Sequence, residues 1–185
     1  TTTYCWGDNF DGEVGDNSTT HRSQPVAVST TVTFQSVSVG GFHSCAVRTT
    51  TGDAYCWGWN NFGQVGDGSA FEHTGPVAVS GLSASKVSTG QEHTCALGTV
   101  IPVCWGWNLD GQLGDGTFTD RATPGGVSGL TSSGLTGIAA GAQHSCVLNT
   151  SGVASCWGDN FDGQLGNGTT TSSTTPFSIT GNPSP

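Results

Sequence analysis

Methionine is absent from the 185 residues, and no leader-like apolar segment opens the chain. The expectation is a processed chain or a piece of a longer one. Positive charge is almost missing: Arg22, Arg48, Lys86 and Arg121 stand against 13 acidic residues, for a net charge of −9. A nucleic-acid surface needs clustered Lys and Arg to neutralise phosphates, so none is expected. The same shortage argues against anionic membrane surfaces. No apolar run approaches the roughly 20 residues of a membrane-spanning helix, so no membrane insertion is expected. Helical spacing is not sustained over three turns anywhere. With 30 glycines and many β-branched residues, helix formation would be costly throughout.

What is present is repetition. "CWGDNFDGEVGDN" at 5–17 returns as "CWGWNNFGQVGDG" at 56–68, "CWGWNLDGQLGDG" at 104–116 and "CWGDNFDGQLGNG" at 156–168. The opening cysteines, Cys5, Cys56, Cys104 and Cys156, are separated by 51, 48 and 52 residues. A period near fifty is the mark of a repeat architecture. Ahead of three of these phrases run alternating apolar segments, "FQSVSVGGFHSCAV", "SKVSTGQEHTCAL" and "TGIAAGAQHSCVL". Such alternation predicts half-buried strands. A short turn leads into each Cys-Trp-Gly strand, and a Gly-rich loop leads out of it. The unit closes on a Pro-led strand at 25–29, 76–80 and 176–180; the third unit offers only the weaker "TPGGVSG". The expected fold is all-β, with four short strands per unit arranged as blades of a β-propeller. The units fall at 1–33 (partial), 34–80, 81–128 and 129–180, with a tail at 181–185.

The order "GxxHSCA…CWGxNxxGQLGDG…PxxV" resembles the regulator of chromosome condensation repeat over essentially the whole chain, and in particular its cysteine-containing secreted bacterial members. That resemblance implies a propeller, commonly of seven blades, but no single activity. Such proteins include nucleotide-exchange factors, enzyme inhibitors and surface proteins, and a shared fold is a weak guide to function. About three and a half blades are present, too few for such a ring. An open array leaves apolar faces and edges uncovered. A longer propeller, a ring of two chains or a fibre would each cover them. The first is the expectation, because Cys5 then finds its partner.

Cys45/Cys56, Cys95/Cys104 and Cys146/Cys156 each straddle a turn, where opposed residues of a hairpin lie within disulfide reach. One disulfide per hairpin is expected, leaving Cys5 with a partner outside the chain. The competing chemistry is metal. His43, His93 and His144 each precede a cysteine by two residues, which gives one His and two Cys per unit, one ligand short of a closed zinc site. Cysteine use in so polar a chain favours an oxidising compartment and hence disulfides; in the resembled family this His is a structural position. No metal is therefore expected there.

Trp6, Trp57, Trp105 and Trp157 recur at one position and are expected in the core between blades, with the indole N–H bonded to backbone. Trp59 and Trp107 replace Asp8 and Asp159 at the next loop position and are candidate binding aromatics. Asp8, Asp11, Asp16, Asp67, Asp110, Asp115, Asp159 and Asp162 make oxygen-rich loops. They lack calcium-loop spacing, so turn-making is the expectation and calcium the alternative. Asn17, Asn149 and Asn167 head candidate glycosylation sequons on loops. His21 and His73 sit in loops with no triad or carboxylate pair around them. No catalytic residue is expected.

The expected function is a secreted, disulfide-stapled propeller that binds protein or glycan without catalysis. The alternatives are a self-assembling subunit of an extracellular fibre or surface layer, and an inhibitor that plugs an enzyme. An intracellular nucleotide-exchange role fits poorly with the acidic balance and hairpin cysteines.

Overall fold

The computed structural model describes residues 2–179, so the tail expected at 181–185 lies outside the described residues. All of its regular structure is β. A two-stranded sheet pairs β1 (Tyr4–Gly7) with β2 (Arg22–Ala27). A seven-stranded sheet follows in sequence order: β3 (Phe34–Val39), β4 (His43–Arg48), β5 (Asp53–Gly58), β6 (His73–Thr89), β7 (His93–Gly98), β8 (Pro102–Gly106) and β9 (Arg121–Gly126). The last sheet is β10 (Leu135–Ala140), β11 (His144–Asn149), β12 (Ala154–Gly158) and β13 (Ser173–Ser178).

Two blades share the seven-stranded sheet because β6 is unbroken. Its first part pairs with β5 and its second with β7, around a positive-φ glycine at Gly81. The sequence places a unit boundary between residues 80 and 81, yet the chain crosses it without leaving the strand. The weak "TPGGVSG" segment overlaps β9. There the absence of side chains at Gly125 leaves room for the Arg121 guanidinium to lie across the strand.

Alternation was expected in every inner strand, and that expectation is corrected for β4 and β7. Their residues are buried on both faces, save Arg48 at the end of β4. Each of these strands sits mid-blade with a neighbouring blade on either side. In β11, on the final blade, burial does alternate, because one of its faces is uncovered. The core is a series of slabs between blades. One joins Cys45, Cys56, Val65, Val79 and Trp105; another joins Cys95, Cys104, Leu113, Val147 and Trp157; a smaller one holds Val28, Phe34, Ala46 and Trp57.

Candidate functional site: the loop face

The registers His43↔Gly58, His93↔Gly106 and His144↔Gly158 put two connections at the same end of every blade. One is the tight turn just before the histidine; the other is the long loop after Cys-Trp-Gly. These connections form a single face, and one repeated device fixes its position. Trp57 Nε1 donates to the Glu13 carbonyl at 2.7 Å, Trp105 Nε1 to that of Gln64 at 2.8 Å, and Trp157 Nε1 to that of Gln112 at 2.8 Å. The same three carbonyls accept the hydroxyls of Ser44, Thr94 and Ser145. These three indoles and three hydroxyls therefore grip the loop of the preceding blade.

The histidines tie the blades in the opposite direction. His43 Nε2 lies 2.7 Å from Thr94 Oγ1, and His93 Nε2 lies 2.8 Å from Ser145 Oγ. Each hydroxyl has one hydrogen, already given to a loop carbonyl, so it accepts from the ring and fixes Nε2–H. Nδ1 of both rings is buried without a partner. Burial pushes His43 down to about 3; burial, then the charges of His43 and His144, push His93 down to about 3. Both rings are neutral in the folded protein.

Three hairpin disulfides lie beside these contacts: Cys45–Cys56 and Cys95–Cys104, each with an S–S distance of 2.06 Å, and Cys146–Cys156 at 2.08 Å. The repeat makes the three bonds look alike in sequence, and Cys146–Cys156 departs from that likeness. The four cysteines of the first two bonds are fully buried inside the slabs between blades. Cys156 is buried but stands outside every slab, and its partner Cys146 is only half-buried. The reason is position: this bond lies in the final blade, and no described blade covers it. Cys5 is a half-buried free thiol whose pKa is raised by burial.

Two expected core residues require correction. Trp6 is 62% exposed, because no preceding loop among the described residues offers it a carbonyl. His144 is only half-buried, because its blade has no described successor. Both stand on the uncovered ends of the array.

The long loops share an organiser that the sequence reading missed. Asn9, Asn60, Asn108 and Asn160 are fully buried. In each, the amide donates across its own loop, as from Asn108 Nδ2 to the carbonyls of Thr117 and Thr119. Its oxygen accepts from the backbone five residues on, as from Leu113 N at 2.9 Å. The signal was available as a recurring Asn two residues beyond each Trp-Gly. Asp16, Asp67 and Asp115 make turns with Ser18, Ser69 and Thr117 and contact Arg22, His73 and Arg121. Against the raising effect of burial, hydrogen bonds from Ser18 and Arg22 hold Asp16 below its usual value, and those from Ser69, with His73 adding to them, do the same for Asp67. No group of three or more metal-ligating side chains occurs among the described residues.

Trp59 and Trp107 are half-buried and belong to a row that sequence alone did not assemble. Phe42 meets Trp59 at 5.3 Å between ring centroids, Trp59 meets Phe62 at 5.4 Å, and Phe62 meets Trp107 at 6.2 Å. The row crosses from one blade to the next. At the loop tips Phe10, Leu109 and Phe161 are 73%, 64% and 80% exposed, all at one repeat position. Towards the inner edge, the tight turns surround a hollow of about 410 Å³ lined by Gly40, Gly41, Phe42, Gly90, Gln91 and Gly141. Of the sequon residues, Asn17 has a left-handed φ of 62° and donates to Ser29 Oγ. Asn149 and Asn167 accept backbone N–H groups within their turns. His21 lies 2.8 Å from Asp8, and no nucleophile joins that pair.

The regulator of chromosome condensation (RCC1) repeat matches residues 2–47, 51–97, 104–148 and 152–184. The mouse protein described as probable E3 ubiquitin-protein ligase HERC4 is 33% identical over 187 residues, covering 97% of this chain and 18% of its own length. The ultraviolet-B receptor UVR8 of Arabidopsis thaliana is 30% identical over 181 residues, covering 95% of this chain and 41% of the receptor. Among solved structures, human WBSCR16 superposes with a TM-score of 0.83 at 23% identity, over 96% of this chain and 48% of that one. Yeast RCC1 (Prp20), solved bound to Kap60, gives 0.81 at 17% identity, over 98% and 45%. The chain thus spans less than half the length of each of these proteins, and the two structures speak to the fold alone.

Proposed function

Because the chain belongs to the regulator of chromosome condensation (RCC1) repeat family, we propose that it works as a non-catalytic protein-binding module in an oxidising, extracellular setting. The loop face is the binding surface. The observation that carries this reading is the aromatic row from Phe42 to Trp107, flanked by exposed apolar tips on the same face. Aromatic side chains on rigidly held loops are what binding surfaces use. The loops are rigid here because buried Asn and inter-blade Trp contacts hold them. The three disulfides support the extracellular setting. That yeast RCC1 is described bound to Kap60 supports protein over glycan as the ligand class, by analogy of fold.

The test is a screen of the folded protein against arrays of extracellular proteins and of glycans, run beside a Phe10→Ser/Phe161→Ser variant of equal stability. Binders among the proteins that the variant loses are the expected result. Binding to glycans alone, or binding indifferent to the variant, would refute the reading.

A further inference from the structure

The distribution of charge narrows what the loop face would take. All three arginines are occupied: Arg22 lies 2.6 Å from Asp16, Arg48 3.6 Å from Asp53, and Arg121 3.7 Å from Asp115. Lys86 donates its Nζ to the Thr136 carbonyl, away from the loops. Asp8 and Asp67 are matched by His21 and His73. That leaves Asp11, Glu13, Glu72, Glu92, Asp110, Asp120, Asp159 and Asp162 without a cationic partner among the described residues. All eight lie in the long loops or in the tight turn before His93, at one end of the strands. The opposite end carries no such excess: its acid, Asp53, is paired with Arg48.

These carboxylates also crowd one another, within loops and across blades. Burial and then Asp159 raise Asp110, burial and then Asp120 raise Glu92, and burial and then Asp8 raise Asp11. Like charges held this close repel, and a cation between them relieves the repulsion.

The acids are interleaved with the aromatic row. Trp107 N donates to the Glu92 carbonyl at 2.9 Å. Asn108, the next residue, donates its backbone N–H to Asp120 Oδ1 at 2.7 Å. The backbone of Trp107 and Asn108 thus meets the Glu92 main chain on one side and the Asp120 carboxylate on the other, and that carboxylate, after burial, raises Glu92, so two acidic residues flank an aromatic one. That is the chemistry that receives a guanidinium, which pairs with carboxylate and stacks on an aromatic face at once.

We propose that the loop face docks a lysine- and arginine-rich polypeptide segment, with an arginine received between Glu92, Asp120 and Trp107 and further cations beside Asp110 and Asp159. This rests on the reading of the face as a protein-binding surface and adds the chemistry of the partner. The aromatic row and the tips at Phe10, Leu109 and Phe161 contact the apolar parts of the segment. Charge complementarity of this kind sets specificity and on-rate, and makes binding depend on salt.

The experiment uses the full chain and two fluorescein-labelled peptides of equal length. One alternates Arg and Lys with Gly and Ser; in the other, Gln replaces every cation. Anisotropy is read at low and at high salt, with Trp emission as a second signal. The basic peptide should bind, weaken by about tenfold or more as salt rises, and change Trp emission, while the Gln peptide should not bind. Glu92→Gln/Asp110→Asn should lose about tenfold in affinity, and Asp53→Asn, at the other end of the strands, should lose nothing. Trp107→Leu should cost affinity for the arginine-containing peptide more than for an all-lysine one. Absence of binding, equal binding by the carboxylate variant, or equal loss with Asp53→Asn would each overturn the proposal. Should the array screen return non-basic proteins that use this face, the binding-module reading stands and the basic partner falls. Should it return only glycans, both fall.

Discussion

Acid should begin to loosen this fold as pH falls below 6.5, and the two neutral histidines are the reason. His43 and His93 are fully buried and titrate near 3 in the folded chain, against 6.5 when exposed. Because the folded value is depressed, folding is least opposed above pH 6.5, and each ring withdraws stability as pH falls below that. The loss continues until the folded rings themselves take protons near pH 3. Between pH 7 and pH 5 each ring costs about 2 kcal/mol, so both together cost about 4 kcal/mol. That is a large share of the roughly 5–15 kcal/mol that holds a typical domain together. The raised carboxylates Asp11, Glu13, Glu92 and Asp110 act in the opposite sense, because the folded form takes their protons more readily, from above their reference values of 3.8 and 4.5 downwards. The assay is urea unfolding at pH 7, 6 and 5 with the disulfides intact. The midpoint should fall steadily, and His93→Gln should remove about half of that fall, since Gln can still donate to Ser145. A midpoint that stays level from pH 7 to 5, or a His93→Gln variant with the full slope, would refute the reasoning.

Other outcomes follow from the same contacts. Replacing Cys95 and Cys104 together by Ser opens a loop with a sequence separation of 9 and should cost about 2–3 kcal/mol in urea unfolding, mainly through the freed unfolded chain. Alkylation of the unfolded chain without reduction should modify one thiol, Cys5, and after reduction all seven cysteines; seven at the outset would remove the disulfides from the account. Asn108→Ala strands the Leu113 N–H and two loop carbonyls and should cost about 2–4 kcal/mol, with faster proteolysis within 107–120 as the second readout. Gly66→Ala would set a Cβ 2.5 Å from Trp105 Nε1 at a φ of +82°, and should lose more than about 2 kcal/mol while red-shifting Trp emission.

Much of the fold was legible because the sequence repeats its instructions. Four Cys-Trp-Gly phrases and three His-[Ser/Thr]-Cys strands reveal period, strand order and hairpin register together, since each Cys faces a Cys only when His faces Gly. Other features were hidden for identifiable reasons. Continuous burial of β4 and β7 arises from blades on both sides, and alternation within one strand cannot report a neighbour some fifty residues away. Trp6 carries the same letters as Trp57, yet its environment depends on the loop before it. Cys156 likewise carries the same letters as Cys56 and Cys104, but the cover over its disulfide depends on the blade after it. The aromatic row was half visible: Trp59 and Trp107 stood out as departures from Asp, whereas Phe42 and Phe62 join them only once the tight turn and the long loop emerge at the same end. The buried Asn was visible in every phrase and overlooked because Asn beside Gly reads as an ordinary turn. What it stabilises is a loop of about a dozen residues, not the turn beside it.

The uninterrupted course of β6 has a mechanical consequence. Residues 73–89 cross from one blade to the next inside a single strand, while β9 and β10 are joined by a separate connection over 127–134. The joint at β6 is a splice, whereas those over 28–33 and 127–134 are jointed couplings. Under tension applied along the chain, the units at either end should peel away before the two spliced blades, which should yield together in one larger event. An array built this way has preferred places to bend, set by where one sheet gives way to the next and not by the strength of any one contact.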